Sequence, residues 1–103
     1  MGILQGVLED ELQRLENTKT YYKALVSELP KGSLSIKKRA NSWYVYRAFR
    51  DGSKVQFVYI GKKDSLLAQK VETQLLKRKQ IEGQLKVVIK QISAVKRSLR
   101  AFK

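Results

Sequence analysis

Residues 43–60 read WYVYRAFRDGSKVQFVYI, and they decide the fold. Two runs rich in aromatic and β-branched residues, the types that suit a pleated surface, flank Asp51-Gly52. That dipeptide is a strong two-residue hairpin signal, because a type I′ turn needs positive φ at both central positions. The expectation is a β-hairpin with Asp51 and Gly52 at its tip. In that register Arg50 faces Ser53, Ala48 faces Val55, Tyr46 faces Phe57 and Tyr44 faces Tyr59, all on one face. Phe49, Val45 and Trp43 share the other face with Lys54, Val58 and Ile60.

Upstream, LSIKKR at 34–39 reads as a third strand, so the expected sheet spans 34–61. Asn41-Ser42 is the weaker turn signal between the first two strands. A two-residue turn there places Lys37 and Arg39 on the Tyr44/Tyr46 face, with Leu34 and Ile36 on the Val45 face. One face of the sheet then holds Leu34, Ile36, Trp43, Val45, Val58 and Ile60 and is expected to be core. The other holds Lys37, Arg39, Tyr44, Tyr46, Arg50, Phe57 and Tyr59. A three-residue turn at 40–42 would slip the first strand by one residue and reverse its side chains.

Both flanks read as helices. Over 3–29, Leu8, Leu15, Tyr22 and Leu29 recur every seven residues, beside Leu4, Leu12, Leu25 and Val26. Glu9, Asp10 and Glu11 lie in its early turns, where negative charge suits the helix dipole. Pro30 stops it, because the residue before a proline resists helical geometry. Asp64 is the expected N-cap of a longer helix over 65–102. There Ile81, Leu85, Val88, Ile92, Val95, Leu99 and Phe102 alternate spacings of four and three. Leu67 and Val71 extend the line, and the interruption at Gln74 and Arg78 is expected to shift it onto Leu75 and Leu76. The fold class is therefore α+β in one domain: two long helices, as an antiparallel hairpin or coiled coil, flanking a three-stranded antiparallel sheet. The second helix would be roughly 57 Å long and the first nearer 40 Å. The shorter cannot line all of the longer, so the 81–102 stripe is expected to meet the sheet, a second copy of the chain or a larger protein partner.

The net charge of +13 on 103 residues is unevenly placed. Residues 1–29 carry three basic and five acidic side chains, residues 30–63 nine against one, and residues 64–103 ten against three. The middle block also holds Trp43, Tyr44, Tyr46, Phe49, Phe57 and Tyr59. Cations interleaved with flat rings suit a polyanion with stackable bases, the cations neutralising phosphates and the rings contacting sugars or bases. The candidate contacts are Lys37, Arg39, Tyr44, Tyr46, Arg50, Lys54, Lys62 and Lys63. The competing reading is that the strand tyrosines pack against a helix and point their hydroxyls outward.

Other classes find little support. Without histidine or cysteine the commonest general base, the commonest metal ligand and any disulfide are missing, and the glycines form no phosphate-binding loop. A non-catalytic protein with no metal and no cofactor is expected. No apolar run approaches the roughly 18–20 residues that span a bilayer, and the long helix lacks the Trp/Phe-rich face of a surface-bound one. The start, MGILQGVLEDELQRL, lacks the basic region of a secretory signal. No membrane partner and a cytoplasmic location are expected.

The block KGSLSIKKRANSWYVYRAFRDGSKVQFVYIGKKD resembles a pattern in small uncharacterised bacterial and mobile-element proteins: GSL, a basic strand, a tyrosine-rich strand, a DG turn and a strand ending in YIGK. That resemblance implies helix, three-stranded sheet, helix. More distantly, YVYRAFRDGSKVQFVY resembles the three-stranded arm-binding domain of tyrosine recombinases, whose sheet docks into the DNA major groove. By that likeness Lys37, Arg39, Tyr44, Tyr46 and Arg50 would occupy groove-facing positions. The expected partner is a nucleic acid, DNA in preference to RNA. The rivals are a protein-binding module or inhibitor that docks on a nucleic-acid-processing enzyme, and a structural coiled-coil oligomer.

Overall fold

The computed structural model describes residues 2–102. In chain order the elements are α1 (Ile3–Ser27), β1 (Ser33–Arg39), β2 (Ser42–Asp51), β3 (Lys54–Lys62) and α2 (Leu66–Arg100). The expected α+β architecture is observed, with two helices flanking an antiparallel sheet of order β1-β2-β3. The residues group into two compact units. One combines the residues up to Glu28 with those from Gln80 onward; the other is Leu29–Lys79.

In the sheet unit both turns sit one residue from their expected places. β1 and β2 join through Ala40-Asn41, with Arg39 opposite Ser42. β2 and β3 join through Gly52-Ser53, with Asp51 opposite Lys54. Ala40 has φ 54° and Gly52 φ 63°, while Asn41 and Ser53 are not positive. Positive φ at the first central residue alone is the type II′ pattern, which places glycine there. Asp51 thereby stays in the ladder, where the facing Lys54 is a favourable partner. Each pairing consequently moves by two: Tyr46 faces Tyr59, Ala48 faces Phe57, and Lys37 faces Tyr44. Because side chains alternate with period two, the division into two faces survives.

A β-bulge adds a feature that the sequence reading did not foresee. Tyr46 faces Tyr59 but Val45 faces Gly61, leaving Ile60 as the extra residue. Beyond the bulge Gly61 lies on the Val45 face and Lys62 opposite Tyr44. A Cβ on Gly61 would come within 3.1 Å of Ser65 Oγ. That hydroxyl accepts the Ala68 N–H at 3.2 Å, so Ser65 caps α2. Asp64, the expected cap, instead turns the chain with φ 66°.

The Val45 face packs under the start of α2. Val45, Ala68 and Leu75 are buried, and Leu34, Ile36 and Val45 share a cavity of about 280 Å³ with Ala68, Gln69 and Glu72. The expected core is only partly covered, since Ile36 and Trp43 are each 48% exposed. Gly32 enters the sheet with φ 110°, and a Cβ there would lie 2.1 Å from the Ala48 carbonyl oxygen. Only glycine fits that conformation at that distance.

In the helical unit Leu15 packs with Val88 and Ile92, flanked by Leu12, Tyr22 and Val95. The pair is antiparallel: Gln5 and Glu9 share a cavity with Lys96, Leu99 and Arg100, and Lys96 lies 3.8 Å from Glu16. Arg14 donates two hydrogen bonds to Glu11, which holds that carboxyl below its ordinary range. Part of the 81–102 stripe meets α1, through Val88, Ile92 and Val95. Ile81, Val88 and Ile92 are buried, Leu85, Val95 and Leu99 are half-buried, and Phe102 lies exposed past the end of α2. The mismatch in helix length disappears because residues 66–79 of α2 belong to the sheet unit. Nor does the stripe shift sideways. Ala68, Val71, Leu75, Arg78 and Ile81 keep spacings of three and four, all buried or half-buried, whereas Leu67 and Leu76 are exposed. Arg78 fits this line because its guanidinium donates to the Leu29 carbonyl at 2.6 Å, a group beyond the last turn of α1 that needs a donor. No helix of the described residues is long and apolar enough to cross a membrane.

Candidate functional site

The sheet face opposite Val45 gathers most of the expected contacts. β1 supplies Lys37 and Arg39, the central β2 supplies Tyr44, Tyr46 and Arg50, and β3 supplies Lys62. Phe57 and Tyr59, placed on this face by the sequence but not counted among the contacts, join them from β3. Two expected contacts fall on the other side. Lys54 pairs with Asp51, whose alternation puts it with Val45, and Lys63 lines the cavity beneath α2 with Val45 and Ala68. Lys62 reaches the aromatic face only because the bulge at Ile60 reverses parity, and Gly61 is the one sequence mark of that bulge.

The face is open and carries no carboxylate, since the strand acid Asp51 points with Val45. Phe57 is 51% and Tyr59 55% exposed, far more than rings packed under a helix. Lys37 Nζ lies 4.2 Å from the Phe57 ring centroid and 5.2 Å from that of Tyr46, a cation resting on two π-faces. Tyr46 and Tyr59 meet edge to face with centroids 5.5 Å apart, and Tyr44 and Tyr59 are tilted by 50° at 6.2 Å. Arg39, Ala40, Tyr44, Tyr46 and Tyr59 surround a shallow concavity of about 450 Å³. Ala40 contributes through its left-handed turn conformation, which no local sequence signal announced.

Cations on the Val45 side have structural work. Arg47 stacks on Phe49 at 4.3 Å and donates to the Lys31 carbonyl at 2.8 Å, and Lys38 lies 5.8 Å from the Trp43 ring centroid. The two sides of one small sheet therefore use arginine and lysine differently. On one side they tie side chains and loop together; on the other Arg39, Arg50 and Lys62 stand exposed on the face that carries the tyrosines.

A family model for a domain of unknown function (DUF6788) matches residues 3–69. The chain belongs to this family. A family of unknown function agrees with the expectation of an uncharacterised family. No curated protein and no solved structure matches the chain. The DUF6788 match contains α1, the whole sheet and the first turn of α2. Every residue of the open sheet face lies inside it, and the 81–99 stripe lies beyond it.

Proposed function

We propose that this DUF6788 protein is a non-catalytic nucleic-acid-binding protein whose open sheet face is the contact surface. The carrying observation is the coincidence of four cations, Lys37, Arg39, Arg50 and Lys62, with four aromatic rings on one acid-free face. The cations would neutralise phosphates and fix register, and the rings would contact sugars or bases. DNA is favoured over RNA, because a small antiparallel sheet fits the wide major groove of B-form DNA but not the deep, narrow one of A-form RNA. The likeness of YVYRAFRDGSKVQFVY to the arm-binding domain of tyrosine recombinases supports the same docking, and the middle block points to a bacterial mobile element as the setting. The reading needs no metal or cofactor and implies no recombinase chemistry.

The test is binding of labelled duplex DNA, single-stranded DNA and RNA across a salt series. Affinity should fall steeply with salt, with a slope near −0.9 per phosphate contacted. Replacing Lys37, Arg39 and Arg50 together by alanine should flatten that slope by up to about 2.7 and weaken binding at every salt concentration. Absence of binding at about 50 mM salt, or identical binding by the triple variant, would overturn the proposal.

A further inference from the structure

The concavity at the β1–β2 turn differs from the rest of the open face. Lys37 lies over Phe57 and Tyr46, and among the described residues no cation lies over Tyr44 or Tyr59. Those two rings are inclined to each other by 50°, and Tyr59 is inclined to Tyr46 by 62°. They stand as walls of a hollow instead of stacking shut. The hollow's volume of about 450 Å³ falls in the range of small-ligand sites. Its rim is completed by Arg39, whose planar guanidinium can stack on a base or bond a phosphate. Ala40 adds only a methyl group, so the turn does not fill the space. Lys62, directly opposite Tyr44, brings a second cation to the same corner.

An aromatic hollow of this kind has a chemical preference. In an intact duplex each base is stacked on both sides and paired on its edge, so no protein ring can cover its face. A base in a bulge, a gap or a single strand has that face available, and stacking on an aromatic side chain rewards its capture. Flanking phosphates supply the negative charge that Arg39 and Lys62 would meet.

We infer that the hollow bounded by Arg39, Tyr44, Tyr46 and Tyr59 seats one unpaired base of the bound nucleic acid, with Tyr59 as its stacking wall. The inference rests on the nucleic-acid-binding reading and sharpens it. The preferred ligand is a DNA that offers an unpaired base beside its duplex.

Two labelled DNA duplexes of identical sequence, one carrying a single extra unpaired base at its centre, separate the possibilities. At one salt concentration the bulged duplex should bind roughly tenfold tighter, within the range that stacking of one base supplies. Tyr59→Ala should abolish that preference, weakening binding of the bulged duplex roughly tenfold more than binding of the intact one. Tyr59→Phe, which keeps the ring, should retain the preference. Equal binding of both duplexes by the unaltered protein would overturn the inference, as would equal loss on both in Tyr59→Ala. In either case salt-dependent duplex binding would leave the broader proposal standing. No binding to either DNA at about 50 mM salt would overturn both.

Discussion

Between α1 and α2, Leu15, Val88 and Ile92 bury one another, while on the open face of the sheet Phe57 and Tyr59 remain half exposed among cations. Both regions are rich in apolar and basic residues, but they arrange them oppositely. The helices gather their buried apolar side chains on one stripe, where Leu15 meets Val88 and Ile92 away from most of the charges. The open sheet face mixes them on the same few positions, where burial is slight and the gain from folding correspondingly small. A region built to fold and a region left available can thus be told apart by whether apolar and charged side chains share a surface.

The largest expected effect that could break this contrast is in the helical pair. Leu15 is 2% exposed and sits between Val88 and Ile92. Leu15→Ala should cost about 2–5 kcal/mol, the transfer term plus an unfilled cavity. Helical circular dichroism followed through a denaturant titration reads it. A loss below about 1 kcal/mol would mean that the helices do not depend on this contact, and the contrast with the sheet would fail.

Next comes the entry to the sheet. Gly32→Ala forces a side chain into a left-handed backbone and against the Ala48 carbonyl oxygen at 2.1 Å. Backbone strain alone is worth roughly 1–3 kcal/mol, and β1 must also move. Trp43 fluorescence during unfolding should show an earlier transition. Gly52→Ala, where a Cβ meets nothing within 4 Å but φ is also positive, should cost less. Equal costs would show that strain in φ, and not the close approach to Ala48, makes Gly32 necessary.

These positions also show where sequence reasoning reaches and where it stops. The strands were readable from their aromatic and β-branched runs, and the helices from the spacing of Leu8 to Leu29 and Ile81 to Leu99. The faces of the sheet were readable too, because parity tolerates the two-residue change in pairing that both displaced turns produced. What the sequence hid were features decided by single contacts in space. The bulge at Ile60 carried Lys62 onto the aromatic face, the Ser65 hydroxyl took the cap from Asp64, and Leu29 gave Arg78 a reason to sit in an apolar stripe. The division of α2 between two compact units was hidden too, because its apolar spacing runs on through both stretches.

The smallest expected effects lie on the open face. Arg50 makes no hydrogen bond or ion pair among the described residues, so Arg50→Ala should change stability by no more than about 0.5 kcal/mol. Lys37→Ala removes contacts with the Phe57 and Tyr46 rings, and an exposed cation–π contact contributes about 0.5–1 kcal/mol. Both variants should therefore unfold close to the unaltered protein while binding nucleic acid more weakly. The useful comparison is between them. If the open face is a ligand surface, the loss of binding should be similar for the two, because each removes one phosphate-neutralising charge. The loss of stability should be larger for Lys37, because only it also holds rings in place. Binding losses that instead track the stability losses would mean that the cations act by shaping the sheet, and the division between a folded region and an available one would have to be redrawn within the face itself.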